Sequence, residues 1–380
     1  MTTRTLYGRA FVGGEVRDET LVTLDGSTIA AIDYMAHRPD GAESFEGLLV
    51  PGFIDVHVHG GDGADFMDGS DEAVARVASF HARHGTTTMA ATTLSASRED
   101  LHNAVEAIAR VARSRVNRGA AIAGIHLEGP YINAKHAGAQ DRASIRPADM
   151  HELAALIANA PELRWIVTVA PEIDGARAVI EHFKDRVLFS IGHTGGSYAD
   201  AVAAVEWGAA HFTHLFNAMT PLHHREPGVV GAAFVEPDTT AELIADGVHV
   251  HRTVLRIAAL GMPHRVALIT DAVRACGMPD GNYRLYDHEF TVANGAARLA
   301  DGTLAGSVLT MGRAVANMVE LAGMPLESVI PMATEVPARI LNVADRKGRI
   351  AAGYDADLVV LSERLTIERV LVRGEEIAHV

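Results

Sequence analysis

The sequence predicts an α/β protein, a (β/α)8 TIM barrel with a small β-sandwich built from both chain termini. Three observations lead there. Apolar strand-like runs alternate eight times with Ala-rich helical stretches, side chains able to bind a metal fall at the ends of those strands, and both termini read as short strands broken by turns. The 380-residue length suits one barrel of about 250 residues plus a smaller unit. Hydrophobic residues make up 48% of the chain and aromatics only 5%, so the apolar mass is Ala, Val, Leu and Ile, as in buried parallel strands covered by helices.

At the N-terminus, the apolar runs 10–12, 20–23 and 28–32 are separated by Gly13-Gly14 and Asp25-Gly26. At the C-terminus, 348–350, 356–361 and 370–372 are broken by Gly353 and by Arg373-Gly374. The two ends, 1–50 and 345–380, are expected to pair into the small β unit, leaving 51–344 for the barrel. Within the barrel, candidate strands end near His59, Thr93, Glu128, Ala170, His193, Asn217, His249 and Asp271. Helical stretches at 71–84, 149–160, 197–208 and 253–261 lie between them, and 282–304 reads as a hairpin inserted after the eighth strand.

The net charge of −15 argues against non-specific nucleic-acid binding, although a few local cations would suffice for one anionic substrate. A single cysteine, Cys276, cannot form an internal disulfide and reads as a small core or loop residue. Residues 1–12 lack a signal-peptide pattern and no run of ~18 apolar residues occurs, so a soluble cytoplasmic protein is expected.

The first barrel strand reads Pro51-Gly-Phe-Ile-Asp-Val-His-Val-His-Gly60. Strand geometry sends His57 and His59 to the same face, where two imidazoles can share a metal or simply close a strand as a polar pair. The third ends His126-Leu-Glu-Gly-Pro130, and Glu128 after an apolar run is either a solvated strand end or a carboxylate with a partner. His193, His214 and Asp271 close the fifth, sixth and eighth strands. Five strand ends in register give one barrel face nitrogen and oxygen donors suited to zinc or another divalent first-row ion. His126 and His211 fall outside this register and read as supporting histidines.

A divalent ion activates water and polarises a carbonyl, and a neighbouring carboxylate can move the proton from that water to a leaving amine. Asp271 is the candidate for this shuttle. No Gly-x-Ser-x-Gly nucleophile motif is present. After the sixth strand, His223, His224 and Arg225 form a cationic cluster that is either a solvated loop or a phosphate contact. His249 either donates to substrate or caps its strand.

Across nearly its whole length the chain resembles the N-acetylglucosamine-6-phosphate deacetylases of the amidohydrolase superfamily. The resemblance rests on Pro51–Gly60, His126-Leu-Glu-Gly-Pro-Tyr-Ile132, Gly192-His-Thr194, Thr213-His-Leu-Phe-Asn-Ala-Met219, His223-His-Arg-Glu-Pro-Gly228, Ala245-Asp-Gly-Val-His249, Thr270-Asp-Ala272 and Leu304-Ala-Gly-Ser-Val-Leu-Thr-Met311. It implies that Glu128, His193 and His214 hold a metal common to the family, that His57 and His59 hold a second present in some members, and that Asp271 is the acid/base. It implies phosphate contacts from Asn217, the backbone at Ala218, and Arg225 reaching in from the other subunit of a homodimer. His249 would bind the sugar and Leu309 would lie near the acetyl pocket. One or two divalent ions per subunit are expected, zinc first, with iron, cobalt and manganese also compatible.

Two positions depart from the family pattern. Gln140 stands where some members have a histidine that helps polarise the amide, with His136 nearby. Gly312 stands where a carboxylate or larger side chain is expected. The implied reaction is deacetylation of N-acetyl-D-glucosamine 6-phosphate. The alternatives are the galactosamine epimer, a cyclic-amide hydrolase (disfavoured because no lysine closes a strand), and a non-catalytic scaffold (disfavoured because the ligand set is complete).

Overall fold

The computed structural model describes residues 3–114 and 119–377. Its centre is an eight-stranded parallel barrel whose spatial order follows the sequence: Phe53–Val58, Thr86–Thr93, Ala121–Glu128, Arg164–Val169, Val187–Ile191, His211–Phe212, Thr240–Ile244 and Val266–Ile269. All six residues of the first strand are buried, as a strand covered on both faces requires. The eighth strand returns to the first at the carboxyl end. There the Asp271 N–H donates to the His57 carbonyl at 2.9 Å, and the N–H groups of His59 and Gly60 donate to Ala272 at 2.9 and 2.8 Å. Closure therefore sets Asp271 beside the two strand-one histidines.

The helices begin at polar caps that the sequence supplies. Ser70 accepts from Ala73 N at the start of Asp71–Arg83, Ser97 from Asp100 N at Arg98–Arg113, and Ser197 forms a reciprocal capping box with Asp200 at Tyr198–Trp207. The seventh strand stops at Ile244, five residues short of the expected end near His249. The Asp246 carboxylate accepts from the N–H groups of Val248 and His249, both at 2.8 Å, and turns the chain away from the sheet.

Segment 282–304 is a three-stranded antiparallel sheet (Gly281–Leu285, His288–Ala293 and Ala296–Arg298), not a single hairpin. Its second turn is Asn294-Gly295, both with positive φ, the two-residue turn that matches strand twist. Leu285, Phe290, Val292 and Ala297 pack with Leu94 and Val273 against the barrel mouth.

The chain termini come together in one seven-stranded mixed sheet, so the expected sandwich is continuous in its hydrogen bonding. Glu43–Pro51 lies inside it, parallel to Thr3–Val12 and antiparallel to Leu358–Leu361. Leu6, Val22, Leu24, Ile29, Leu49, Leu358, Val360 and Leu371 form its own apolar core.

The structure accounts for Gly312. A Cβ there would lie 2.9 and 3.0 Å from the Ile367 side chain and 3.2 Å from the His84 carbonyl oxygen. The helix Met311–Glu320 thus starts in close contact with the terminal sheet. Ile367 can yield slightly but the carbonyl cannot. Gly312→Ala is expected to cost about 1–2 kcal/mol, read as a lowered Tm with unchanged metal content.

Candidate active site

Strand alternation delivers His57 and His59 to the barrel's open end with their Nε2 atoms 3.2 Å apart. Both face Asp271 Oδ1, at 3.5 and 3.2 Å, and Glu128, whose Oε1 is 3.4 Å from His57 and whose Oε2 is 3.2 Å from His59. On the other side of Glu128, the Nε2 atoms of His193 and His214 each lie 3.0 Å from Oε1 and 3.0 Å from each other. All six side chains are buried. Strand ends from five different places in the sequence thus converge on one carboxylate.

The donor set fits divalent metal binding. His57–His59–Glu128 and Glu128–His193–His214 each offer three ligand atoms lying within 4.8 Å of one another. Ring nitrogens turned toward each other across a shared carboxylate form the arrangement a cation between them resolves. Burial opposes charge on His59, but hydrogen bonds to Asp271 and Glu128 outweigh it and push its pKa up to about 9. Burial likewise opposes ionisation of Glu128 and Asp271. Their facing histidines, His57 foremost, nevertheless hold both carboxyls below the ordinary range. Asp271 lies within this cluster, beside both strand-one histidines.

The backbone is forced where it carries these groups. His193, His214, Ala218 and Asp271 have φ of 47°, 27°, 50° and 49°, a region L-residues rarely adopt. Such turns at strand ends swing the rings inward. His193 is also fixed from behind, since its Nδ1–H donates to the His136 carbonyl at 2.8 Å, leaving Nε2 free to act as a ligand.

A cavity of about 380 Å³ opens over the cluster, lined among others by His59, Glu128, His193, His214 and Asp271. Gln140, Asn217, Ala218 and His249 also line it. Gln140 Nε2 donates to Glu128 Oε2 at 2.5 Å, and its Oε1 accepts from Ser95 N at 2.6 Å, so its orientation is fixed. His249 is held by Asp246 Oδ2, 2.7 Å from Nδ1. Lys135, His136 and Arg142 bring basic groups to the wall. Arg225 lies outside its own cavity, exposed, and donates to His224 Nε2 at 2.7 Å. Leu309 is buried but does not line the cavity. Its carbonyl accepts from Cys276 Sγ, and Leu304 and Gly306 form the wall in that stretch.

Two buried carboxylates that touch the site histidines escaped the sequence reading. Asp55 accepts from Thr270 Oγ1 at 2.6 Å and from the N–H groups of His57 and Thr270, bracing both sides of the strand-one to strand-eight seam. Burial raises its pKa to about 7 against the pull of the Thr270 hydroxyl. Glu242, on the seventh strand, contacts His57 and His211, and with His57 and His126 forms a third group of potential ligands. Asp55 was detectable by the argument that singled out Glu128, since it sits inside the apolar run Phe53-Ile-Asp-Val56, whereas Glu242 follows Thr239-Thr240-Ala241.

The amidohydrolase family model matches residues 48–377. The chain belongs to the amidohydrolase family. Within it, the chain takes its place among the N-acetylglucosamine-6-phosphate deacetylases. The enzyme of that name from Bacillus subtilis is 39% identical over 333 residues, 87% of this chain and 84% of the relative. The N-acetylgalactosamine-6-phosphate deacetylase of Escherichia coli O157:H7 is also 39% identical, over 86% of this chain and 87% of its own. Among solved structures, a variant of the N-acetyl-D-glucosamine-6-phosphate deacetylase of Mycobacterium smegmatis, in complex with N-acetyl-D-glucosamine-6-phosphate, is 35% identical. It matches with a TM-score of 0.94 and 100% coverage of both chains.

Proposed function

We propose that this enzyme hydrolyses the acetamide of N-acetyl-D-glucosamine 6-phosphate, releasing acetate and D-glucosamine 6-phosphate. The observation that carries this is Glu128 shared between two donor groups, with Asp271 at their edge, under a cavity walled by Lys135, Arg142 and His249. Basic groups over a hydrolytic cluster suit an anionic amide substrate in a protein of net charge −15.

Glu128, His193 and His214 would hold one divalent ion, and His57, His59 and Glu128 a second. Zinc is the proposed identity, and iron, cobalt and manganese suit the same donors. When bound, such an ion lowers the pKa of water toward ~7 and polarises a carbonyl oxygen. The Asp271 carboxylate takes the proton from the attacking water. It then returns that proton to the amine nitrogen as the C–N bond breaks, so that the amine leaves neutral. Gln140, which carries no charge, orients Glu128 and offers a hydrogen bond at the cavity wall. His249 would bind the sugar through Nε2, since Asp246 occupies Nδ1.

Asn217, the Ala218 backbone and Arg225 of a second subunit would bind the phosphate. That assignment makes the working unit a homodimer and gives the exposed Arg225 a role outside its own cavity. A sugar-phosphate substrate and one buried cysteine suit a cytoplasmic enzyme.

Arg225→Ala is expected to lower kcat/KM for the phosphorylated sugar by about 10–100-fold, the worth of a charged hydrogen bond. The same loss on unphosphorylated N-acetylglucosamine would remove the phosphate role. The second reading, the galactosamine epimer, is favoured by the equal identity of the E. coli relative. Acetate release from the two 6-phosphates and from the unphosphorylated sugar, with metal analysis of the same sample, decides between them. Preference for the glucosamine epimer supports the proposal, and turnover of the unphosphorylated sugar at the same rate overturns it.

A further inference from the structure

Glu242 is fully buried beside the site histidines and does not line the cavity above them. Its Oε2 lies 2.8 Å from His57 Nδ1 and accepts from the His214 backbone N–H at 3.0 Å. Its Oε1 lies 3.2 Å from His211 Nε2 and 3.6 Å from His126 Nδ1. One carboxylate oxygen therefore touches one residue from each of the two donor groups, which belong to different strands.

The chemistry of each contact is definite. An ionised carboxylate only accepts, so His57 carries a proton on Nδ1, and in the neutral ring that a metal ligand requires the Nε2 lone pair then points at the cluster. His57 Nε2 is the atom 3.2 Å from His59 Nε2 and 3.4 Å from Glu128. The His214 N–H belongs to a residue with φ of 27°, and its bond to Glu242 holds the strained turn that aims the ring at Glu128. His214 Nδ1 has no partner among the described residues, so this backbone bond does for His214 what the His136 carbonyl does for the His193 ring. The other neighbours are held by partners of their own. The His126 ring is braced between the Val56 carbonyl and Thr168 Oγ1, and His211 Nδ1 pairs with Thr240 Oγ1. Burying a carboxylate costs several kcal/mol, and an apolar side chain of equal volume would fill this space at less cost. The carboxylate is thus explained by what it holds.

We propose that Glu242 is a positioning residue common to both metal positions, fixing the His57 tautomer with the same oxygen that anchors the His214 turn. This rests on the two-position metal reading of the site and not on the identity of the substrate. The experiment therefore reads metal affinity, and failure of the substrate assignment leaves its result unaffected.

The apoenzyme is titrated with Zn²⁺ against a chromogenic chelator for the wild type, E242M, E242Q, H57A and the E242M/H57A double variant. Circular dichroism monitors the fold. E242M keeps the volume without an acceptor and is expected to weaken Zn²⁺ binding at both positions by about 10–100-fold. E242Q keeps an oxygen acceptor without the charge and should fall between E242M and wild type. In the H57A background, where only the Glu128–His193–His214 position remains strong, E242M is expected to weaken it further. Wild-type affinities in folded E242M, or in E242Q should E242M not fold, overturn the proposal. An unaffected remaining position in the double variant overturns the sharing.

Discussion

Asp271→Asn is expected to lower kcat by about 10²–10⁴-fold, the usual weight of a general acid–base group, while fold and metal content persist. Asparagine keeps the shape of the side chain and its place beside His57 and His59, but it cannot accept a proton from water or return one to the amine. Asp271 is outside both three-residue donor groups, so the ions should remain. Its backbone bonds, from its N–H to the His57 carbonyl and from Ser307 N–H to its own carbonyl, do not involve the side chain. Barrel closure should therefore persist too. Single-turnover acetate release with metal analysis checks this, and near-normal turnover would exclude Asp271 as the shuttle.

Glu128→Ala is the other change with a large effect, and it differs in kind. Glu128 is the one residue common to the two donor groups, so its loss reduces both to pairs of histidines. Metal content is expected to fall toward zero and activity with it. His59→Ala, by contrast, should leave the Glu128–His193–His214 position filled. If E128A retained two ions per chain, the carboxylate would not be the bridge.

How much of this was legible depends on whether the signal was local. The His57/His59 pair could be read because strand alternation is a local rule. Glu128, His193, His214 and Asp271 could be read because each closes an apolar run. The seventh strand was misjudged because one side chain, Asp246, ends it by bonding to its own loop, and no periodicity records that. The third strand of the inserted sheet was missed although Asn294-Gly295 marks its turn. Glu242 sits mid-strand in Thr-Ala-Glu-Leu-Ile, and its partners are distant in sequence, so its role emerges only once the barrel closes. Which residues of the 304–309 stretch meet the cavity is likewise decided by packing: Leu304 and Gly306 line it, and Leu309 is buried behind them.

The strand Glu43–Pro51 runs almost directly into the first barrel strand at Phe53, yet one of its two neighbours, Leu358–Leu361, comes from the far end of the chain. On the ribosome the whole barrel sequence emerges before that neighbour exists. Until then Glu43–Pro51 presents an open edge, the kind of surface that pairs with other chains. Premature termination between the barrel and Leu358 would therefore yield a product with its catalytic ligands present and a sticky edge exposed. Synthesis through Leu361 is then expected to matter for solubility as well as for structure.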